Sequence, residues 1–292
     1  MELVKLTPDE FARFAKLVYD KTGIYLPEQK RDLLSNRLRK RMRSLKLDSY
    51  EAYFRQVSDA KTGHEELPHF LAAVTTNETY FFRNERVWSL LSDQLIPYWV
   101  QTKRAAAKSI RIWSAAASTG AEAYTAAIVL RERLTDFKTW NVKLVGTDID
   151  QNVLAQASEG RYNEYAVARM DAGCRKRWFS DVDGMFQLAD EIRGLVEFRF
   201  HNLRDKFPNA RFDLVFLRNV LMYFDNPMKL KVMDVVSEAL APGGLLIVGD
   251  VDPIRTSAEL SAAMTLTYQR PGLYQKAAPN VRLLKELETA NA

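Results

Sequence analysis

The sequence predicts an α/β fold, in which a mostly parallel sheet is covered by helices on both sides and a small all-helical domain precedes it. Three observations carry this. From Ser109 onward, short β-rich runs at Ile110–Trp113, Val142–Val145, Val196–Phe200, Phe212–Phe216 and Leu245–Val248 alternate with patterned helical stretches such as 121–134 and 227–240. Residues 7–76 hold helical signals with no strand pattern between them. With 292 residues and 47% hydrophobic content, the chain can bury the core of one medium domain and a smaller one.

Taken in order, the helical region of residues 1–76 opens with Thr7-Pro8-Asp9-Glu10, a capping residue followed by acids in the first turn. Asp48-Ser49-Tyr50-Glu51 repeats the signal. Between them lies a basic helix at about 29–46. Lys30, Arg31, Arg37, Arg39, Lys40, Arg41, Arg43 and Lys46 face a single acid, Asp32, while Leu34, Leu38, Met42 and Leu45 form the stripe that packs inward. Arg39, Lys40 and Arg43 are expected to project on the opposite side. Such a face is either simply solvated or a docking surface for nucleic acid, anionic lipid or a carboxylate-rich protein helix. Residues 77–108 read as a linker that begins the ligand site. Residues 109–278 read as the α/β domain, with 161–194, which break its rhythm, as an inserted subdomain. Residues 279–292 read as a tail.

Composition excludes several classes. Charged residues at 27% and aromatics at 11% suit a globular chain, and no apolar run reaches the about 18 residues of a membrane span. The opening Met-Glu-Leu-Val-Lys-Leu-Thr-Pro-Asp-Glu carries acids where a secretory leader carries bases, so a cytoplasmic location is expected. One cysteine, Cys174, and three separated histidines, His64, His69 and His201, argue for a reducing compartment and against a metal site.

In doubly wound sheets a ligand sits beyond the carboxyl ends of the strands. The first strand runs into Ser114-Ala-Ala-Ala-Ser-Thr-Gly120, whose small residues and glycine let the backbone approach a ligand. The spacing is not G-x-G-x-x-G, which argues against a dinucleotide. The second ends Gly146-Thr147-Asp148-Ile149-Asp150, and an acid there can accept hydrogen bonds from both hydroxyls of a ribose. A nucleoside without phosphates, such as S-adenosylmethionine, fits this combination. The third strand ends His201-Asn202-Leu203 and the fourth Arg218-Asn219-Val220-Leu221-Met222-Tyr223-Phe224. Their asparagines can read an adenine edge or an amino-acid group, or can form turns.

These residues resemble the chemotaxis receptor methyltransferases, the CheR family. The resemblance rests on Asn77-x-Thr79-x-Phe81-Phe82-Arg83, Trp113-Ser-Ala-Ala-Ala-Ser-Thr-Gly120-x-Glu122, Thr147-Asp148-Ile-Asp150, Asn202-Leu203, Arg218-Asn219-Val220-x-x-Tyr223-Phe224 and Leu240-Ala-Pro-Gly-Gly244, in the family's order, and covers about 7–276. It implies a class I S-adenosylmethionine-dependent methyltransferase with a doubly wound sheet, an N-terminal all-helical domain and a small inserted antiparallel β-subdomain. The cofactor contacts it implies are Asn77, Thr79, Arg83, Glu122, Asp148, Asn202, Leu203, Asn219 and Val220, with Arg83 and Tyr223 nearest the transferred methyl and S-adenosylhomocysteine as product. It also implies a substrate, glutamate side chains on the cytoplasmic helices of transmembrane chemoreceptors, and with it a docking role for Arg37, Arg39, Lys40, Arg41 and Arg43. No metal, nucleic acid or membrane insertion is expected. The chain departs from the family's pattern at Ala121, at Ala123 and at Gly249-Asp250-Val251-Asp252-Pro253, where the family has Gly-His-Ser-Glu.

The chemistry is consistent with the residues. A glutamate of ordinary pKa about 4.3 is ionised at neutral pH, so an in-line displacement at a sulfonium needs no general base. An esterase or protease would need an activated nucleophile. The last departure leaves a non-catalytic, cofactor-sensing module as an alternative. A base-directed nucleic acid methyltransferase is disfavoured, since Asn219-Val-Leu-Met stands where a Pro-Pro-aromatic turn would follow the fourth strand.

Overall fold

The computed structural model describes residues 5–103, 108–249 and 266–278. Four helices open it: α1 (Pro8–Thr22), α2 (Arg31–Ser44), α3 (Tyr50–Ser58) and α4 (Gly63–Val74). The cap expected at Thr7 is a full capping box, in which its hydroxyl accepts the Glu10 N–H and the Glu10 carboxylate accepts the Thr7 N–H. Ser49 caps α3 through the Ala52 N–H at 3.2 Å. Phe14, Leu38, Tyr50, Tyr53 and Phe70 are fully withdrawn from solvent and form the core of this unit. One of its polar links is buried as well. Glu66, on α4, receives Arg41 through two hydrogen bonds, at 2.8 and 2.6 Å, and the Tyr53 hydroxyl at 2.9 Å.

The segment between the helical unit and the sheet differs from a linker. It forms α5 (Glu85–Leu90), a widened π turn at Leu91–Leu95 and α6 (Ile96–Lys103). Trp88, Leu91, Leu95 and Trp99 enter the main core. Burial of these large side chains makes the segment part of the α/β unit.

The main sheet comprises β1 (Ser109–Ala115), β2 (Asn141–Asp148), β6 (Val196–Phe200), β7 (Phe212–Leu217), β8 (Leu240–Val248), β9 (Leu266–Arg270) and β10 (Leu273–Lys276), in the order β6-β2-β1-β7-β8-β10-β9. The first five are mutually parallel, while β10 runs antiparallel to β8 and to β9. Helices α7 (Ala121–Arg133), α8 (Gln151–Glu159) and α12 (Asn226–Ala239) are its crossovers. Chain order reverses between β1 and β7, which opens a crevice at their carboxyl ends. Between α8 and β6 lie β3 (Arg161–Tyr162), α9 (Glu164–Val167), α10 (Ala172–Trp178), β4 (Phe179–Val182), β5 (Met185–Leu188) and α11 (Asp190–Arg193). The three strands form a separate antiparallel sheet, β3-β5-β4.

One expectation about the first loop is corrected. The residues that line the crevice do not include Gly120. A Cβ there would lie 2.7 Å from the Phe198 ring, and at Gly146 2.4 Å from it. Both glycines make room for Phe198, and Gly120 also adopts the left-handed φ of 85°. The backbone that borders the crevice is Ala116–Ser118, with positive φ at Ala116 and Ser118. The departure at Asp250 to Pro253 and the tail at 279–292 lie outside the described residues.

Glu66→Ala would leave the Arg41 guanidinium and the Tyr53 hydroxyl without their acceptor. We expect a loss of about 2–4 kcal/mol in urea unfolding at neutral pH, with little change in the affinity of the distant crevice for its ligand.

Candidate functional site

The crevice widens into a cavity of about 530 Å³, within the range of small-molecule sites. Asp148, which ends β2, stands at its base and is 7% exposed. Its two oxygens accept the Ser118 N–H at 2.9 Å and the Asp150 N–H at 3.0 Å, so each retains acceptor capacity. Burial pushes the Asp148 carboxyl above the usual carboxylate range, opposed by those N–H groups. Asp150 caps α8 through the Asn152 N–H and takes the Asn77 amide at 2.8 Å. The Asn77 carbonyl in turn accepts the Ser118 hydroxyl at 2.7 Å. The chain leaving the helical unit is thereby tied to both loops that hold Asp148.

A second tie closes the opposite wall. Arg218, just beyond β7, has a side chain 3% exposed and meets Glu122, 13% exposed, at 2.9 Å. Glu122 accepts the Ser114 hydroxyl at 2.7 Å with its other oxygen. Arg218 also donates to the Arg83 carbonyl at 2.8 Å, and the Trp88 indole donates to that same carbonyl at 3.1 Å. The ends of β1 and β7 and the 77–83 segment thus converge on one ion pair. Arg218 belongs to the Arg-Asn-Val motif but was not among the expected contacts. A charged residue closing the apolar run 214–217 is the signal that it is structural.

Every expected cofactor contact lines this cavity: Asn77, Thr79, Arg83, Glu122, Asp148, Asn202, Leu203, Asn219 and Val220, with Tyr223 beside them. Two are engaged in ways the motifs did not indicate. Asn202 donates to the Lys21 carbonyl at 2.8 Å and accepts the Arg204 N–H at 3.1 Å, anchoring the end of α1 and leaving one N–H and one lone pair. Asn219 sits at φ 58°, a conformation asparagine tolerates better than most side chains. His201 packs against Trp113 and Phe207, and burial holds its pKa below the usual value. It is therefore neutral at physiological pH and packed as a ring, not poised as an acid.

The basic helix divides. Lys40 and Arg43 are exposed, as expected. Arg39 does not project: it donates to the Tyr50 hydroxyl at 3.0 Å and to the Ser35 hydroxyl at 2.8 Å. Arg41 is taken up by Glu66. Arg37 belongs to the cavity wall, where it bonds the Val74 carbonyl and the Thr76 hydroxyl. Burial pulls its pKa down, with Tyr223 opposing the shift. Helical periodicity gave the inward stripe but not these long-range acceptors.

The helical unit also borders the cavity. Ile24 forms a β-bridge to Phe224, Tyr25 donates its N–H to the Tyr223 carbonyl at 2.9 Å, and the Tyr19 hydroxyl bonds Asp225 at 3.0 Å.

Fold and cavity together define an S-adenosylmethionine-dependent methyltransferase. A family model described as "CheR methyltransferase, SAM binding domain" matches residues 77–269, and "CheR methyltransferase, all-alpha domain" matches residues 9–75. The chain belongs to the CheR methyltransferase family. It is 33% identical to a probable chemotaxis protein methyltransferase of Rhizobium etli, over 89% of this chain and 100% of the relative. It is 36% identical to chemotaxis protein methyltransferase 2 of Pseudomonas aeruginosa, over 91% and 94%. With the chemotaxis protein methyltransferase of Borreliella burgdorferi the figure is 31%, over 91% and 96%.

The residues fit the cofactor. Asp148 offers two buried carboxylate oxygens that can accept from a ribose diol. Ribose hydroxyls donating to Asp148 would favour its ionised form, so ligand binding through it would lower its pKa. Cofactor affinity held through Asp148 would then be full above the raised pKa of the empty site and fall as pH drops through it. We expect calorimetric affinity to begin declining at a pH above the ordinary carboxylate range, and Asp148→Asn to abolish that pH dependence together with most of the affinity.

Proposed function

We propose that this methyltransferase esterifies glutamate side chains on the cytoplasmic helices of chemoreceptors, acting in the cytoplasm. The observation that carries the reading is the convergence of Asp148, Arg83 and Tyr223 on one cavity whose mouth is bordered by the basic helical unit. The cofactor supplies an electrophilic methyl on a sulfonium. Asn77, Asp148 and the Ala116–Ser118 backbone hold the nucleoside end. Arg83 receives the incoming carboxylate through charge-assisted hydrogen bonds, and Tyr223 orients its second oxygen. The nucleophile is already ionised, so no residue needs to remove a proton, in keeping with the neutral, packed His201. Alignment and exclusion of water are what the chain contributes, effects worth about 7–11 kcal/mol in well-oriented systems. Contacts that bound the carboxylate too tightly would stabilise the ground state, so Arg83 and Tyr223 act by orientation.

Incubation with labelled methyl donor and the organism's receptor fraction should give label released as methanol in alkali. Stable, alkali-resistant label would mean another acceptor. Arg83→Ala and Tyr223→Phe should lower turnover at least tenfold with less than a threefold change in cofactor affinity by calorimetry, whereas Asp148→Ala should weaken cofactor binding strongly. Lys40 and Arg43, exposed on α2, support electrostatic steering toward acidic receptor helices. Raising salt, or reversing both to Glu, should raise KM for receptor several-fold and leave cofactor affinity unchanged.

A further inference from the structure

The segment from Glu78 to Arg83 is stapled to the inserted subdomain at three points. The Phe81 N–H donates to the Ala166 carbonyl at 2.9 Å. The Tyr165 hydroxyl donates to the Glu78 carboxylate at 2.6 Å. Arg169 donates to the Tyr80 hydroxyl at 2.6 Å, with its guanidinium carbon 4.4 Å from the centre of the Tyr80 ring. The same ring meets a second cation, because the Arg83 guanidinium carbon lies 5.6 Å from its centre. Arg83 also donates to the Glu78 carbonyl at 3.1 Å. The side chain borders two cavities, the one described above and a more open one of about 850 Å³ that reaches toward Arg169 and Cys174.

A half-exposed arginine side chain samples many rotamers, and a single carbonyl bond does not select among them. What narrows the choice at Arg83 is the Tyr80 ring, and that ring is held by Arg169, through its hydroxyl and its face, with the Tyr165 ring packed edge-on at 6.2 Å between centres. We propose that Arg169 is a positioning residue for methyl transfer: reaching from the inserted subdomain, it clamps Tyr80 so that the Arg83 guanidinium is directed at the acceptor carboxylate. This rests on the role given to Arg83 above. Its consequence is that the inserted subdomain contributes to the geometry of the reaction centre, through side chains that do not touch the substrate.

The test is a double-mutant cycle on kcat/KM for receptor, with cofactor affinity and melting temperature measured on every variant. Arg169→Ala should lower kcat/KM roughly five- to tenfold, the scale of losing a charged hydrogen bond and a cation–π contact, with cofactor affinity and melting temperature unchanged. Arg169→Lys, which keeps a donor and a cation, should recover part of the loss, and Tyr80→Phe, which keeps the ring but not the hydroxyl, should fall between. In an Arg83→Ala background, Arg169→Ala should have less than a twofold further effect. Full additivity in that background would overturn the proposal while leaving the role of Arg83 intact. Normal turnover by Arg83→Ala alone would remove that role and the proposal with it. A loss in Arg169→Ala that tracks lowered cofactor affinity or melting temperature would also overturn the proposal.

Discussion

A guanidinium as withdrawn from water as that of Arg218 is tolerable only where its charge is answered, and it is answered by Glu122, with the Arg83 carbonyl accepting a second N–H. Removing one partner of such a pair leaves a buried charge uncompensated, which costs several kcal/mol. The partners come from three separated stretches: the start of the helix after the first strand, the end of the fourth strand, and the segment that leaves the helical unit. Satisfying one residue therefore fixes the relative placement of three walls of the cavity. The Asn77–Asp150 and Ser118–Asp148 bonds do the same around Asp148. The site is held by polar ties at both ends, with the alternating sheet as rigid support.

Much of this was legible in the chain. The strand runs, the caps at Thr7 and Ser49, the inserted character of 161–194 and the motif residues are encoded within a few positions of each other, and local pattern reads them. What escaped depends on distant partners. Lys40 and Arg41 are neighbours on one basic helix, yet one is exposed and the other is spent on Glu66 in α4. Nothing within that helix distinguishes them. Gly120 has the small-residue context of a ligand loop, but the group it accommodates is the Phe198 ring from another strand. The helices at 85–103 were missed because each is short and a π turn separates them, so no sustained 3.6-residue period builds up even though Trp88, Leu91, Leu95 and Trp99 all turn inward.

Asn202 illustrates how a motif residue on the cavity wall can also do architectural work. Its carboxamide lies on the cavity wall, but its bonds to the Lys21 carbonyl and the Arg204 N–H serve first to join the two units of the chain. A place on the cavity wall and an architectural bond are combined in the same side chain, as they are at Asn77 and Glu122.

The β-bridge between Ile24 and Phe224 and the bond from the Tyr25 amide to the Tyr223 carbonyl make the tip of the fourth strand a joint construction of both halves of the protein. The helical unit is accordingly no detachable cassette. A chimera that borrowed it from a relative would inherit a foreign edge against its own tyrosine, and graft boundaries drawn in the stretch near residue 76 would cut the covalent link while leaving this seam mismatched.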